Sequence, residues 1–284
     1  MFFISHFKYT KIAELVRCFG NVSSSNFMDS KSISLDFIEW FVGFVDGEGT
    51  FSFSKNRNSY GFTVPQSVYN RRCLEYIQQT LKVGSITNDG PNDLQWRVRD
   101  QFILLHFIIP LIDQYPLRTV KHYSYSIFKE ALMTNDVNRL GYLKEQLSLI
   151  PPHFKSPFTD KPTKNWIIGF VEGSFYIESD RGRLVHGFNV KQKKDKHVLE
   201  LIRSELGICA NVVPGCWKVQ TKNINNLFSV INYFQGKLVG MKSVELEIWA
   251  YSFFNYRGNN PKLKVVRETM RNMRSAHKTS TKWK

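Results

Sequence analysis

Two stretches of this chain end an apolar segment in acidic residues, and carboxylates at that spacing can hold a divalent cation. The first stretch, Trp40–Gly49, carries Asp46 and Glu48 near its end, and the second, Trp166–Gly173, carries Glu172. Divalent ions such as Mg²⁺ prefer carboxylate and carbonyl oxygens as ligands. If both stretches form helices whose acidic ends meet, the sequence predicts a shared metal site between them.

These stretches belong to an internal repeat that spans most of the chain. Gly43 matches Gly169, and further matches follow in the same order. They include Phe62 with Phe188, Gln66 with Gln192, Trp96 with Trp217, and Lys121 with Lys242. A long repeat of this kind is typical of duplicated structural units. We therefore expect two similar halves related by a pseudo-twofold axis.

The second copy of the acidic motif is two residues shorter than the first. Counting forward from Gly169 puts Ser174 at the position of Glu48, whereas counting back from Phe175 puts Glu172 there. Two helical residues correspond to ~3 Å of rise and ~200° of turn, which is large for a metal site. The following strand keeps its face alternation, because a two-residue slip preserves the period of two. Both alignments stay open, and with them the question of whether the second half supplies a metal ligand.

The composition indicates a folded chain with a polyanionic partner. Of the 284 residues 42% are hydrophobic, and 39 basic against 24 acidic residues give a net charge of +15. A basic excess favours nucleic acid, because each neutralised phosphate releases condensed counterions. The sequence contains no C-x-x-C pair, no H-E-x-x-H motif and no phosphate-binding G-x-x-x-x-G-K-[ST] loop. It also has no apolar run of the ~18 residues that span a bilayer, so no membrane partner is expected.

Hydrophobic periodicity predicts the elements that must position the acids. Asp36–Asp46 is apolar at most positions, as in a helix buried on nearly all sides. The rest of the first half has the periods of two strands, a helix, two strands and two further helices. The predicted segments are Phe51–Ser54, Phe62–Val64, Arg71–Lys82, Val83–Ile86, Leu94–Arg99, Asp100–Asp113 and Arg118–Met133. The expected fold class is α+β, with the order αββαββα in each half.

The repeat and four closely spaced prolines divide the chain into five parts. The prolines at 151, 152, 157 and 162 predict an extended linker between the halves. The predicted parts are an N-terminal extension (1–33), a first half (34–148), the linker (149–164), a second half (165–256) and a basic C-terminal tail (257–284). We expect the tail to add nonspecific phosphate contacts.

The segment Phe41–Gly49, its second copy and the two lysine-containing segments 115–121 and 237–242 resemble a known family. The chain is similar to two-motif, single-chain LAGLIDADG proteins, a class that includes intron-encoded homing endonucleases and RNA maturases. The resemblance covers roughly Leu35 to Phe254. It implies two pseudo-symmetric αββαββα halves whose antiparallel sheets form a nucleic-acid-binding saddle, in a monomer with an internal pseudo-twofold axis.

The resemblance also implies which residues carry out DNA hydrolysis. Metal ligands, a water-organising amide and an electrostatic lysine would come from each half, with Mg²⁺ or Mn²⁺ as the ion. On this chain the corresponding residues are Glu48, Glu172 and Gly47 for the metal, Gln66 and Gln192 for water, and Lys121 and Lys242 for charge.

The polar face of each predicted sheet is the expected nucleic-acid surface. Arg, Lys, Asn and Gln side chains can contact base edges in the major groove, which admits a β-ribbon. In the first half the candidates are Ser52, Ser54, Lys55, Asn56, Arg57, Tyr60, Arg97 and Arg99. In the second half they are Glu178, Ser179, Arg181, Arg183, Asn189, Lys191, Lys193, Lys218, Gln220 and Lys222.

Two functions fit these features. One is a site-specific homing endonuclease that hydrolyses double-stranded DNA with a divalent metal. The other is a non-cleaving binder of structured RNA on the same scaffold, either an intron maturase or a structural protein of an organellar ribonucleoprotein. The shortened second motif favours the non-cleaving alternative. Either function predicts an organelle, a mitochondrion or chloroplast, and the extension 1–33 could be a transit peptide or an upstream part of an intron-encoded reading frame.

Overall fold

The computed structural model describes residues 33–54, 59–134, 137–149, 160–171, 174–209, 212 and 217–279. Most of the N-terminal extension and of the proline-rich linker lie outside the described residues, as do four predicted site or binding residues: Glu172, Lys55, Asn56 and Arg57.

The first half has the predicted order of elements. They are α1 (Leu35–Glu48), β1 (Thr50–Ser54), β2 (Ser59–Ser67), α2 (Arg71–Leu81), β3 (Ser85–Asn88), β4 (Asp93–Val98), α3 (Gln101–Ile103), α4 (Ile109–Gln114), α5 (Lys121–Thr134) and α6 (Val137–Ser148). A π-helical turn joins α3 to α4, so these segments form the single helix predicted between Asp100 and Asp113. Helix α6 is an addition to the predicted set.

The second half repeats this order with one strand fewer among the described residues. Its elements are α7 (Lys164–Phe170), β5 (Ser174–Asp180), β6 (Arg183–Gln192), α8 (Lys196–Glu205), β7 (Trp217–Thr221), α9 (Ile224–Phe234), α10 (Met241–Asn255) and α11 (Asn260–Thr279). None of the described helices is long and apolar enough to cross a membrane.

Both sheets are antiparallel and bury one face. The strand orders are β1-β2-β4-β3 and β5-β6-β7. In β4, Leu94, Trp96 and Val98 point into the core, whereas Gln95 and Arg97 lie on the other face. This alternation follows from the period of two in a strand, and it leaves one polar face on each sheet, as the sequence predicts.

Helix α1 forms the centre of the molecule. The Ser34 side chain caps its N-terminus by accepting a hydrogen bond from the Phe37 amide at 3.3 Å. Nearly every side chain from Phe37 to Asp46 is buried, as predicted for a helix that is apolar all round. Its C-terminus closes when the Gly49 amide donates to the carbonyl of Val45 at 2.7 Å.

Helices α1 and α7 pack against each other through matched glycines, which confirms the predicted pseudo-twofold arrangement. A Cβ atom at Gly43 would overlap the backbone carbonyl of Trp166, and one at Gly169 would overlap that of Trp40. The matched tryptophans of the two helices also make equivalent stacking contacts. Trp40 stacks on Phe44 with ring centroids 5.1 Å apart, and Trp166 stacks on Phe170 at 4.8 Å.

The two helices differ at their C-termini. Phe170, the last residue of α7, matches Phe44 of α1, which continues to Glu48. The second helix therefore ends about one turn earlier than the first, and it stops short of the position predicted for its acidic end.

The predicted basic tail is a helix. The side chains of Leu263 and Met270 on α11 are 0% and 3% exposed and belong to the core. Arg274 donates to the buried carboxylate of Glu245 at 2.6 Å and to the carbonyl of Phe175 at 3.2 Å. Arg274 therefore ties α11 to the second half instead of contacting phosphate as predicted for the tail, because its charge is already paired with a buried carboxylate.

Tyr60 lies in the core and not on the polar face predicted for it. Its side chain is 4% exposed, and its hydroxyl donates to the carbonyl of Ala131 at 3.1 Å. The matching residue of the second half, His186, is likewise buried and bonds to Ser252, which matches Ala131. The strand alternation places both residues on the inner face.

We predict that Gly43→Ala and Gly169→Ala each destabilise the fold, because the added methyl group forces the two helices apart. The expected loss is about 3 kcal/mol or more of unfolding free energy, measured by urea denaturation. Gly47→Ala is the matched control, since a Cβ there would lie 3.2 Å from the carbonyl of Phe170 and costs less. Equal losses at Gly43 and Gly47 would contradict this packing.

His186 should make stability depend on pH. Burial, with a smaller effect of the Arg257 charge, lowers the pKa of His186 to about 4. The unfolded chain therefore takes up a proton near pH 6.5 that the folded chain resists, so stability falls as the pH drops from about 6.5 to about 4. We expect His186→Phe to remove about 3 kcal/mol of this fall in urea titrations at several pH values. An unchanged pH dependence would show that this histidine does not titrate differently in the two states.

Candidate active site and nucleic-acid face

Glu48 lies at the C-terminus of α1, beside Lys121. Its side chain is half-buried, and burial raises the pKa of this carboxyl, while the charge on Lys121 lowers it in part. Within the described part of the chain the Glu48 carboxylate accepts no hydrogen bond. A desolvated carboxylate that lacks hydrogen-bond donors can be stabilised by a cation.

Lys121 begins α5 and reaches the last turn of α1. Its Nζ donates to the carbonyl of Gly47 at 2.8 Å and to that of Val45 at 3.3 Å. A cation is favoured at this end of a helix, where free carbonyls point outward. Burial lowers the pKa of Lys121 to about 8, against the opposing effect of Glu48, Asp46 and Asp195. The lysine therefore places a partly desolvated positive charge next to Glu48.

Asp46, the other acid of the first motif, has a structural role as a buried hydrogen-bond acceptor. Its carboxylate is 2% exposed and accepts from the Arg118 amide, from the Thr119 amide and hydroxyl, and from Trp166 Nε1, at 2.7–3.1 Å. Burial nevertheless raises its pKa to about 6, since desolvation outweighs these hydrogen bonds. Asp46 joins α1, the segment before α5, and the helix of the other half, which leaves Glu48 as the acid available for chemistry.

Each half holds the lysine segment of the other. Asp195 of the second half accepts from the Val120 amide at 2.8 Å, and His197 bonds to the carbonyl of Arg118. In the reciprocal contact, Asn70 of the first half accepts from the Met241 amide at 3.1 Å. The N-terminus of α5, and with it Lys121, is therefore positioned by a residue from beyond the pseudo-twofold axis.

The oxygen atoms near Glu48 fit one side of a divalent-metal site. The Glu48 carboxylate and the Gly47 carbonyl are hard donors of the kind that Mg²⁺ prefers. Within the described ranges no cluster of three or more His, Cys, Asp or Glu residues could hold an ion by itself. Further ligands would have to come from bound phosphate or from residues outside those ranges.

The second half arranges its lysine differently. Lys242 Nζ lies 3.4 Å from Oε2 of Glu245, a carboxylate that is 0% exposed. The same carboxylate takes two hydrogen bonds from Arg274, at 2.6 and 2.8 Å. Lys242 therefore belongs to an ion-pair network around the buried Glu245 carboxylate, whereas its counterpart Lys121 caps the end of α1.

The two predicted water-organising glutamines lie at matched positions near the ends of β2 and β6. Gln66 Oε1 accepts from the Asn70 side chain at 3.0 Å, so it supports the residue that holds the lysine segment of the second half. Gln192 is half-buried and pairs with Trp217 in the strand register. Their part in organising water stays a prediction.

The polar faces of the two sheets carry most of the described candidates for nucleic-acid binding. In the second sheet Asn189 lies opposite Gln220, and Lys191 lies directly opposite Lys218. Like charges in that position destabilise a sheet unless an anion lies between them. Ser52, Ser54 and Arg97 lie on the corresponding face of the first sheet, and Arg99, Arg181, Arg183 and Lys193 are exposed nearby in the chain.

Lys222 is already paired, in part with another candidate of this face. Its Nζ lies 2.6 Å from Oε1 of Glu178 and 3.5 Å from Oδ2 of Asp180. Among these candidates it is therefore less available to a phosphate group than Lys191 or Lys218.

Comparison with known proteins places the chain in a family. A family model described as "LAGLIDADG endonuclease" matches residues 41–132. A Schizosaccharomyces pombe protein named "Probable intron-encoded endonuclease Cox1-I1b" is 30% identical over 97% of this chain and 76% of its own length. This chain belongs to the LAGLIDADG endonuclease family. A Saccharomyces cerevisiae protein named "Uncharacterized mitochondrial protein RF1" is 32% identical over 60% of this chain, which spans only 38% of that protein.

Solved structures show the same fold. I-SmaMI bound to an uncleaved DNA target with calcium ions superposes with a TM-score of 0.68 at 21% identity, covering 82% of this chain and 98% of that one. I-GzeII in complex with its DNA target gives a TM-score of 0.65 at 23% identity, covering 84% and 98%. The two-half α+β architecture is thereby confirmed for this LAGLIDADG protein.

The residues that hold the site in place are not marked by the acidic motif. Thr119, Trp166 and Asp195 do not belong to the nine-residue motif, so nothing in its pattern marks them. One signal was present, because Asp195 and Asn70 occupy matching positions directly before the second helix of each half. Both are oxygen acceptors at a helix N-terminus, a position that favours Asp and Asn.

We predict that Asp195→Ala destabilises the fold by about 1–3 kcal/mol, because the Val120 amide loses its buried acceptor. Asp195→Asn should cost less than about 1 kcal/mol, since Asn70 makes the same bond in the other half. Urea denaturation of both variants measures the difference. A loss as large for Asn as for Ala would mean that the charge of Asp195, and not its hydrogen bond, stabilises the fold.

Proposed function

We propose that this chain is a site-specific homing endonuclease that hydrolyses double-stranded DNA with a divalent ion, Mg²⁺ or Mn²⁺. The observation that supports this most directly is the end of α1. There a partly desolvated carboxylate, which accepts no hydrogen bond from the described residues, lies beside a half-buried lysine, in the turn of α1 that meets the end of α7.

The two sheets would bind the duplex. Each presents a polar face, and a β-ribbon fits the major groove. The net charge of +15 and the opposed pair Lys191 and Lys218 favour a partner with closely spaced phosphates. Because α1 and α7 join the two halves, a duplex bound to both sheets would have Glu48 near the middle of its contact surface.

Glu48 and the Gly47 carbonyl would hold the ion. A bound divalent cation lowers the pKa of a water molecule and stabilises charge on a leaving oxygen. Lys121 holds the turn that carries Glu48 through its bonds to Gly47 and Val45, and its charge favours the approach of a phosphate group. Asp46 fixes this turn against the segment before α5.

We place the protein in the mitochondrion, as a monomer. The support for the organelle is the name of the yeast relative, a mitochondrial protein, and the relatives give no support for a chloroplast. The internal pseudo-twofold axis supports a monomer, since one chain already supplies both halves of a symmetric saddle.

Selection from a randomised duplex library, with and without Mg²⁺, tests the proposal. We expect enrichment of one duplex sequence and its cleavage only when Mg²⁺ is present. Crosslinking to RNA in parallel tests the alternative, because a maturase or a structural RNA-binding protein would bind RNA tightly and cut no duplex. That second outcome would overturn the nuclease proposal.

We predict that reversing the charges of Arg97 and Lys218 together weakens binding to all duplex sequences. Each lost phosphate contact should reduce the slope of log affinity against log salt by about one. Fluorescence anisotropy at several salt concentrations measures this. Lys264→Glu with Arg271→Glu is the charge-matched control, since both lie on α11, whose buried side packs in the core. An equal loss in the control would show that net charge alone, and not the sheet face, governs affinity.

We predict that Glu48→Gln abolishes cleavage and leaves binding within about threefold. An amide lacks the charge that holds a divalent ion, while the sheets are unchanged. Gel analysis of the selected duplex gives the cleavage rate, and anisotropy gives the affinity. Glu247→Gln, at an exposed position on α10, is the matched control. Cleavage by Glu48→Gln at the wild-type rate would exclude Glu48 as a metal ligand.

A further inference from the structure

The two halves differ at the place where each would bring its lysine to the end of its central helix. In the first half, Lys121 Nζ donates to the carbonyls of Gly47 and Val45, in the last turn of α1. That turn also carries Glu48. The lysine, the carbonyls and the carboxylate therefore form one compact group.

In the second half this turn is absent from the helix. Helix α7 ends at Phe170, which matches Phe44 of α1, so α7 lacks the last turn that Lys121 caps in the first half. The Val171 amide already closes α7 by donating to the carbonyl of Ile167 at 2.9 Å. Among the described residues, no helical carbonyl of α7 follows Phe170, so a lysine placed like Lys121 would lack the partner that Val45 provides in the first half.

Lys242 has a different partner. Its Nζ lies 3.4 Å from the buried Glu245 carboxylate, which Arg274 of α11 holds with two hydrogen bonds. The residue of the first half that matches Glu245 is Ser124, which has no charge to draw Lys121 away from α1. Lys242 therefore has a different partner from Lys121 because the second half has Glu245 in place of Ser124 and carries the additional helix α11.

The segment before each lysine differs as well. Thr119 donates its hydroxyl to Asp46 at 2.7 Å and so locks the acidic turn of α1 to the start of α5. The matching residue before α10 is Gly240, which has no hydroxyl group and has a φ of +76°. A Cβ at Gly240 would overlap Oδ1 of Asn70, so the reciprocal contact that holds this segment excludes a threonine there.

We propose that the first half alone forms a cutting centre, and that the chain is a strand-selective nickase that cuts the strand lying across the end of α1. The inference rests on the proposed endonuclease function and adds the strand to it. The duplex would be bound by both sheets, because the shortened motif leaves the strands β5, β6 and β7 intact. Water would then attack one phosphodiester, giving one phosphate end and one hydroxyl end in a single strand.

A supercoiled plasmid that carries the selected duplex tests this directly with the full chain and Mg²⁺. We expect open-circular plasmid to accumulate at least about tenfold faster than linear plasmid. With each strand end-labelled separately, one strand should show a single cut. Equal cutting of both strands within about twofold would overturn the nickase inference and leave the endonuclease function standing. Binding without any cut would overturn both.

Two matched variants assign the cut to the first half. Lys121→Met should lower the nicking rate by more than about 100-fold. Lys242→Met should lower it by less than about threefold, because its Nζ lies against Glu245 and makes no contact like that of Lys121 with α1. Thermal denaturation shows whether each variant folds, and Glu48→Gln, which keeps the lysine, gives a second variant at the same centre. Equal losses for the two lysine variants would mean that both halves contribute to the cut.

Discussion

The structure depends on one close approach, the contact between α1 and α7 at Gly43 and Gly169. At each glycine, the backbone of the partner helix occupies the space of a side chain. Only at this separation can Trp166 of one half donate its indole hydrogen to Asp46 of the other. The same contact joins the two halves and brings the turn that carries Glu48 to the end of α7, since a Cβ at Gly47 would lie 3.2 Å from the carbonyl of Phe170. The fold and the candidate active site therefore both depend on the close packing of α1 against α7.

Contacts across the pseudo-twofold axis are reciprocal, but the chemistry at the two helix ends is not. Asp195 and Asn70 hold matching segments of the opposite halves, which preserves the shape of the duplicated unit. By contrast, the surroundings of the two matching lysines differ, since Lys121 caps α1 while Lys242 lies against Glu245. The packing between the two halves tolerates few changes, because protein interiors are close-packed. The position of a lysine side chain changes more easily, since the single carboxylate of Glu245 gives Lys242 a different partner.

Much of the fold could be predicted from the sequence, because periodicity and the repeat depend on local patterns. The elements of the first half other than α6, and the inner and outer faces of most strand residues, were predictable in this way. The helix α11 was missed because its charges resemble a solvated tail, and only the structure shows Arg274 paired with Glu245. The prediction that Tyr60 lies on the polar face was wrong, because its position in the strand puts its side chain in the core. The partners of Asp46 are more than 70 residues away in sequence, and no local pattern identifies such contacts.

A crystal structure of the chain with its selected duplex would show where a divalent ion binds, if the ion is located by anomalous scattering. We expect an ion bound to the Glu48 carboxylate and the Gly47 carbonyl at coordinating distances, about 2.0–2.6 Å depending on the ion, with Lys121 beside it. We also expect the duplex on the polar faces of both sheets. An ion held only at the end of α7, or a duplex seated on the helical side of the molecule, would contradict these expectations.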